Sequence, residues 1–288
     1  MKIDQALEIV SLSHPGQVRS HNEDSVGYEA LCGLVVLADG MGGYNAGEVA
    51  SGMTVSVLST EIKSALLSNG VAEEEDDSGE DMGVTLLRKN VKKANATIYH
   101  AAQSQPQYAG MGTTVVAALF YDNHVAVAHV GDSRMYRLRG DTFETITRDH
   151  SLLQDQIDSG LISVADARNS MNKNLVTRAV GIDVDVDVEV HVHSVQVGDV
   201  YLLCSDGLND MVPDDDIGSA LQMLQVNLTL AASQLIEMAN DNGGRDNVSV
   251  ILVKIKGDFA VSHSWLEKLS LWFKKVNDKW LYKLSDRN

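Results

Sequence analysis

The stretch LVVLADGMGG, residues 34–43, runs from apolar side chains directly into a carboxylate and then into glycines. Residues 34–37 are all apolar and Ala38 follows them, which predicts a buried strand. Asp39 comes next, and three of the four residues after it are glycine. Burying a carboxylate is costly unless a positive charge meets it, and this stretch contains no Lys or Arg. A metal ion is therefore one candidate for that positive charge.

Composition narrows the class of protein. The chain has 288 residues, of which 40 are acidic and 23 are basic, so the net charge is -17. This balance argues against a nucleic-acid binder, which normally presents a basic face. The two cysteines form no disulfide framework, and the first residues lack the pattern of a signal peptide. No segment approaches the roughly 18 apolar residues of a membrane span, so we expect a cytoplasmic protein.

The periodicity of apolar residues predicts a mixed α+β chain. Two or three strands are expected in the first 40 residues, and two more, joined by a hairpin at YDN, between 112 and 139. Further strands are predicted at DVYLLC and at 247–256, and helices at 47–67, 84–102 and 229–239. This order favours antiparallel sheets covered by helices over a βαβ array.

Two segments allow a second interpretation. Residues 184–193, VDVDVEVHVH, alternate strictly and predict a half-buried strand. A calcium loop is the alternative, but such a loop needs a glycine that this run lacks. The acidic stretch 72–83 has a metal-binding alternative too, although charge runs of this kind are typical of a solvated connection.

Four short stretches each place an Asp at a strand end or turn. They are RSHNED (19–24), LADGMGG (37–43), LCSDGLND (203–210) and GGRDNVSV (243–250). Any one of them is explained by an ordinary turn, since Asp-Gly and Asp-Asn are common turn pairs. Together they match the all-oxygen ligands that Mg²⁺ and Mn²⁺ prefer.

These four stretches, with GTT at 112–114 and VGDSR at 130–134, carry a family resemblance. In this order the motifs resemble the metal-dependent serine/threonine protein phosphatases of type 2C, bacterial branch, over about residues 8–256. The resemblance implies a four-layer α-β-β-α sandwich, in which helix pairs flank two antiparallel sheets. It also implies a divalent metal cofactor, Mn²⁺ or Mg²⁺, with two core ions and a third, weaker one.

The resemblance assigns the core ligands. Asp39 would bridge the two ions, and the Gly40 carbonyl would bind one of them. Asp206 and Asp246 would hold the first metal, and Glu23 would reach the second through water.

Three further residues receive roles from the same resemblance. Asp24 neighbours the metal shell and would orient it. Asp132 matches the position that binds the third metal in bacterial members, and Arg19 matches the residue that grips the substrate phosphate. A surface arginine is the alternative for Arg19. Its guanidinium nevertheless offers a planar fork of donors that suits two phosphate oxygens.

The expected chemistry is hydrolysis by water that two metal ions activate. A cysteine-dependent phosphatase would need an arginine six residues after its cysteine, and here those positions hold Ala38 and Asp210. Eukaryotic relatives carry a histidine, proposed as general acid, where this chain has Met41. The proton donor therefore stays open between metal-bound water and His150, which a capping role explains equally well.

The sequence thus predicts hydrolysis of phosphoserine and phosphothreonine in proteins, opposing a partner Ser/Thr kinase. One alternative is a catalytically silent phosphopeptide-binding regulatory module, although intact Asp39, Asp206 and Asp246 argue against it. The other alternative is a metal phosphohydrolase of nucleotides or small phosphate esters, whose metal chemistry would be the same.

We expect two parts in the chain. Residues 1–257 would form the phosphatase domain, and 150–181 would form its flap, a helical segment that influences substrate choice in the family. Residues 258–288 predict an amphipathic helical tail that contains all three tryptophans of the chain and has six basic and four acidic residues. This tail would pack on the phosphatase domain, dock a protein partner or lie on a membrane surface.

Overall fold

Two antiparallel sheets form the centre of the protein in a computed structural model, which describes residues 1–43, 46–67, 80–163 and 175–260. The first sheet has the strand order β2-β3-β5-β6-β9, and the short β4 pairs with β3 beside this path. Its strands are β2 (Asp24–Glu29), β3 (Leu34–Met41), β4 (Gly112–Thr113), β5 (Val115–Tyr121), β6 (His124–Val130) and β9 (Glu189–Ser194).

The second sheet has the order β1-β11-β10-β7-β8. Its strands are β1 (Leu7–His14), β7 (Arg134–Arg139), β8 (Thr142–Thr145), β10 (Val200–Cys204) and β11 (Val248–Ile255). Both sheets therefore combine strands from distant parts of the chain, which brings their connecting loops together.

Seven α-helices occur in the described residues. They are α1 (Ile3–Ala6), α2 (Ala46–Leu67), α3 (Met82–Ser104), α4 (Leu152–Asp158), α5 (Asp206–Asn209), α6 (Asp214–Leu224) and α7 (Leu228–Asp241). Side chains of α2 and α3 share a core with the first sheet, and those of α6 and α7 share a core with the second. A third core lies between the sheets.

Strand β3 illustrates how the sequence produces these layers. Successive side chains of a strand point to opposite faces. Leu34 and Val36 accordingly pack with the helices α2 and α3, whereas Val35 and Leu37 pack between the two sheets. A strand that is apolar on both faces is thus buried on both, and the predicted α-β-β-α sandwich is confirmed.

The sequence-based helices and the hairpin are confirmed. The predicted helices 47–67, 84–102 and 229–239 match α2, α3 and α7 within three residues at each end. Between β5 and β6, Asp122 and Asn123 have positive φ angles of 43° and 55°. Positive φ at both central residues is typical of the two-residue turn that joins hairpin strands.

One strand prediction is wrong in part, because residues 184–188 are not in a strand and β9 begins only at Glu189. The side chain of Asn95, on α3, donates hydrogen bonds to the carbonyl oxygens of Asp183 and Val184, at 3.0 and 3.4 Å. Val186 is buried in the core beside α3. Contacts with a helix therefore organise this segment, although its alternation resembles that of a strand.

Helix α6 was not predicted, and some predictions lie outside the described residues. These are most of the acidic stretch (72–79 of 72–83), the centre of the flap (164–174) and the tail from residue 261. Within the described part of the chain, no helix combines the length and apolar character needed to cross a membrane.

Candidate metal centre

Asp39 lies at the junction of several strands. The register of β2 and β3 pairs it with Asp24. Its carbonyl oxygen accepts hydrogen bonds from the Thr113 hydroxyl at 2.7 Å and the Thr114 amide at 2.8 Å. Its own amide donates to the Thr114 hydroxyl at 3.1 Å. Because these bonds fix the backbone on both sides, the carboxylate is held at a defined position.

The second sheet supplies further carboxylates. Asp206 is the first residue of α5, two residues after the end of β10, and Asp246 lies two residues before β11. Glycine allows the close packing of these two segments, because a Cβ on Gly207 would lie 2.0 Å from the Asn247 carbonyl oxygen.

The electrostatics show that these carboxylates form one cluster. Burial, followed by the negative charges of Asp24, Asp206, Asp132 and Asp246, raises the pKa of Asp39 well above its ordinary value. Burial and the charges of neighbouring aspartates, Asp132 first, likewise raise the pKa of Asp206. Burial, with Asp149 as the largest charged neighbour, raises the pKa of Asp132 to about 6. A divalent cation would relieve this mutual repulsion.

Asp24 connects the two sheets beneath this cluster. Its Oδ2 accepts hydrogen bonds from the hydroxyls of Ser205 at 2.9 Å and Ser249 at 2.6 Å. Its Oδ1 is buried without a hydrogen-bond partner among the described residues. Burial raises the pKa of Asp24 to about 6, although the two serine hydroxyls oppose this increase. An unpaired buried carboxylate oxygen fits a site that accommodates positive charge.

The backbones of Glu23 and Gly40 are in contact beside the same acidic cluster. The Gly40 amide donates to the Glu23 carbonyl oxygen at 3.1 Å, and the Glu23 amide donates to the Asn247 side chain at 2.8 Å. A Cβ on Gly40 would lie 2.1 Å from the Gly47 carbonyl oxygen. Only glycine therefore permits this approach of β3 to the first turn of α2.

Arg19 pairs with one of the predicted ligands. Its Nη2 lies 2.8 Å from Asp246 Oδ2, and its side chain is half exposed. The structure thus brings Arg19 to the acidic cluster from the solvent side. This position would let the guanidinium contact an anion that approaches the cluster.

Asp132 lies in the loop between β6 and β7 and lines a cavity of about 570 Å³ together with Asp206. The preceding residue, Gly131, forms two hydrogen bonds with His150. Its carbonyl oxygen accepts from the His150 amide at 2.9 Å, and its amide donates to His150 Nδ1 at 3.2 Å.

Sequence reasoning missed a polar cluster beside this loop. One ligand-type atom from each of His129, His150 and Glu189 lies within 4.8 Å of the others. Since His150 Nδ1 accepts from Gly131, its Nε2 carries the proton and lies 3.2 Å from Glu189 Oε2. His129 and Glu189 are paired across β6 and β9. That pairing depends on strand order, which the sequence alone does not specify.

All side-chain donors of the acidic centre are carboxylate oxygens, which suits hard divalent ions such as Mg²⁺ and Mn²⁺. The raised pKa values and the unpaired Asp24 oxygen agree with that choice. The described geometry therefore fits a divalent metal centre built from both sheets.

Comparison with known proteins identifies the family. The family model of protein phosphatase 2C matches residues 16–240. The serine/threonine phosphatase Stp of Listeria welshimeri is 41% identical over 244 residues, which are 83% of this chain and 92% of that protein. The chain belongs to the protein phosphatase 2C family.

Solved structures agree with this assignment. The crystal structure of the serine/threonine phosphatase Stp1 from Staphylococcus aureus has a TM-score of 0.78 and 35% identity, covering 89% of this chain and 98% of that one. The catalytic domain of the serine/threonine protein phosphatase PstP was solved in complex with two manganese ions. It has a TM-score of 0.74 and 36% identity, covering 87% of this chain and 99% of that one.

Proposed function

We propose that this protein removes phosphate from phosphoserine and phosphothreonine in proteins, with divalent metal as cofactor. The observation that carries the proposal is the cluster of buried or partly buried carboxylates around Asp39, on a fold of the protein phosphatase 2C family. Named relatives with this fold are serine/threonine phosphatases, and PstP holds two manganese ions.

Asp39, Asp206, Asp246 and the Gly40 carbonyl would hold the core metal ions, and Glu23 would act through water. Bound divalent ions supply Lewis-acid activation of water and neutralise charge at phosphorus. Asp24 would hold these ligands in position, because its hydrogen bonds to Ser205 and Ser249 connect the first residue of β2 to the second sheet.

Arg19 would bind the substrate phosphate through its guanidinium fork. The ion pair with Asp246 holds it at the edge of the cluster. A phosphate that binds there would replace Asp246 as the hydrogen-bond acceptor of Arg19. The Asp246 carboxylate would then be available to bind metal.

The geometry supports a positioning role for His150 rather than proton donation to the leaving alkoxide. Gly131 and Glu189 engage its two ring nitrogens, and Gly131 precedes Asp132. We assign Asp132 to the third, weaker metal, so His150 would fix the loop that carries this ligand.

The proposal extends to the setting of the enzyme. Its substrates are phosphorylated proteins, a cognate Ser/Thr kinase would oppose it, and it would act in the cytoplasm. Residues 1–257 would form the catalytic domain with a flap at 150–181. The tail, 258–288, would pack on that domain, bind a partner protein or bind a membrane surface.

Phosphate release tests this function directly. We expect the full chain to hydrolyse phosphoserine and phosphothreonine peptides with added manganese and to lose this activity in EDTA. A nucleotide panel measured in parallel addresses the alternative of small phosphate esters. Absence of metal-dependent release from every phosphopeptide would refute the proposal, and faster hydrolysis of nucleotides would favour the alternative.

A further inference from the structure

A cavity beside the metal centre has features of a binding site for a substrate side chain. Its volume is about 570 Å³, and its lining includes both Asp132 and Asp206. A polypeptide whose phosphorylated residue occupies the centre would therefore place a neighbouring side chain at this cavity.

The walls of the cavity are partly apolar. Leu153 and Ile157, on α4, line it, as do Met211 and Pro213 in the segment that precedes α6. A long side chain with a methylene stem can pack its stem on such walls while its charged end stays at the solvent side.

The lining also carries more negative than positive charge. It contains six aspartates, namely Asp132, Asp149, Asp206, Asp210, Asp214 and Asp215, and two arginines, Arg134 and Arg148. Even if bound metal neutralises Asp132 and Asp206, the remaining aspartates outnumber the arginines.

Other carboxylates already engage both arginines. Arg134 donates to both carboxylate oxygens of Asp149, at 2.8 and 2.7 Å, and also lies 3.5 Å from Asp214. Arg148 forms an ion pair with Asp158. Because Arg134 and Arg148 are already paired with carboxylates, neither is well placed to attract an acidic substrate side chain.

Asp215 differs from these paired carboxylates. It lies in the first turn of α6, it is exposed and it lines the cavity. Its carboxylate has no hydrogen-bond or ion-pair partner among the residues that the structure describes. An incoming cation could pair with it without displacing an existing partner.

We infer that this cavity binds a lysine or arginine side chain close to the phosphorylated residue of the substrate, so that the enzyme prefers phosphoproteins with basic flanks. This inference rests on the proposed phosphatase function. Apolar walls would contact the methylene stem, and Asp215 would pair with the charged end.

Matched phosphothreonine peptides test the inference. The peptides would differ only in one residue, Arg, Ala or Glu, placed in turn at each of the three positions before and after the phosphothreonine. For the full chain with manganese, we expect kcat/KM for the best Arg peptide to exceed that of its Ala counterpart by about two- to fivefold, which is typical of an exposed ion pair. The preference should shrink at high salt, because salt screens exposed charges.

Asp215→Asn should reduce the ratio of kcat/KM for the Arg and Glu peptides, and Asp215→Lys should reverse it. Asp216 is the matched control, since it occupies the same first helical turn and is exposed but does not line the cavity. We expect Asp216→Asn and Asp216→Lys to leave the ratio unchanged.

The outcomes separate the inference from the function on which it rests. If the wild-type chain hydrolyses none of the peptides, the proposed function fails. If it hydrolyses Arg, Ala and Glu peptides equally at every position, only the inference is overturned. Equal changes of the ratio in the Asp215 and Asp216 variants would also overturn it, because they would indicate a general effect of surface charge.

Discussion

At the scale of single residues, Asp39 shows what the sequence could predict. The apolar run before it predicts a buried strand, so the cost of burying the Asp39 charge can be recognised from the sequence. The strand does not end at Asp39 as predicted, because Gly40 and Met41 continue β3 by pairing with β4. The partners of Asp24 were not predictable. Ser205 and Ser249 are 181 and 225 residues away in the chain, and only the packing of the two sheets brings them to this carboxylate.

Removing the Asp39 charge should stabilise the metal-free protein. A carboxyl group whose pKa is raised in the folded state binds its proton more tightly there than when unfolded. The free energy of unfolding therefore falls as pH rises from about 4 through the raised pKa. Asp39→Asn eliminates this loss and should be more stable than wild type at pH 7.5 in the absence of metal.

Urea unfolding in EDTA at pH 5, 6 and 7.5 measures this effect. The advantage of the variant should shrink as the pH decreases, because wild-type Asp39 then becomes protonated. A variant that is less stable than wild type at every pH would contradict the electrostatic account.

Asp132 should affect turnover without removing the core ions. It lies in the loop after β6, and we propose that it holds only the third metal. Asp132→Ala should lower turnover on a phosphopeptide by about 10- to 100-fold, the usual size of a change near a metal centre. Metal analysis should still find two tightly bound ions. Unchanged turnover, or loss of the tight ions, would count against the assignment.

At the scale of elements, apolar periodicity predicted α2, α3 and α7 well, and it failed where contacts with another element decide the structure. Residues 184–188 alternate like a strand, yet the side chain of Asn95 holds their backbone beside α3. Helix α6 begins with Asp214, Asp215 and Asp216, which favour a helix N-terminus. This run of aspartates is a helix-start signal that apolar periodicity does not include.

The junction of β3 and α2 should depend on Gly40. A Cβ there would lie 2.1 Å from the Gly47 carbonyl oxygen, so backbone must move to accept it. We expect Gly40→Ala to reduce the free energy of unfolding by about 1–3 kcal/mol, as overpacking does elsewhere. Gly43→Ala is the control, because among the described residues no atom beyond its chain neighbours lies within 4 Å of its Cβ position. Equal stability of the two variants in urea unfolding would show that the junction tolerates a side chain.

At the scale of the whole molecule, the acidic cluster proposed as the metal centre forms where the two sheets meet. Asp39 comes from the first sheet, whereas Asp206 and Asp246 flank strands of the second. The family resemblance, which rests on motifs in the family's order, predicted that Asp39, Asp206 and Asp246 lie at one site. Periodicity alone predicted the strands but neither their order in the sheets nor the cavity beside the centre.

Deleting residues 260–288 should leave peptide hydrolysis intact. Every motif of the metal centre precedes this segment, and the last buried apolar residue before it, Phe259, packs between the sheets. We expect the truncated chain to hydrolyse a short phosphopeptide at a rate within about twofold of the full chain, and to lose whatever partner or membrane binding the tail provides. A truncated protein that is folded by circular dichroism but inactive would show that the tail belongs to the catalytic unit.

Manganese binding and turnover, measured on the same samples, test the central claim most directly. The wild-type chain should bind two manganese ions tightly, the number present in the structure of the PstP catalytic domain, and phosphopeptide turnover should rise with their occupancy. Asp39→Asn and Asp246→Asn should remain folded but lose tight binding and turnover together. If either variant keeps both ions and wild-type turnover, the carboxylate cluster around Asp39 is not the catalytic metal centre.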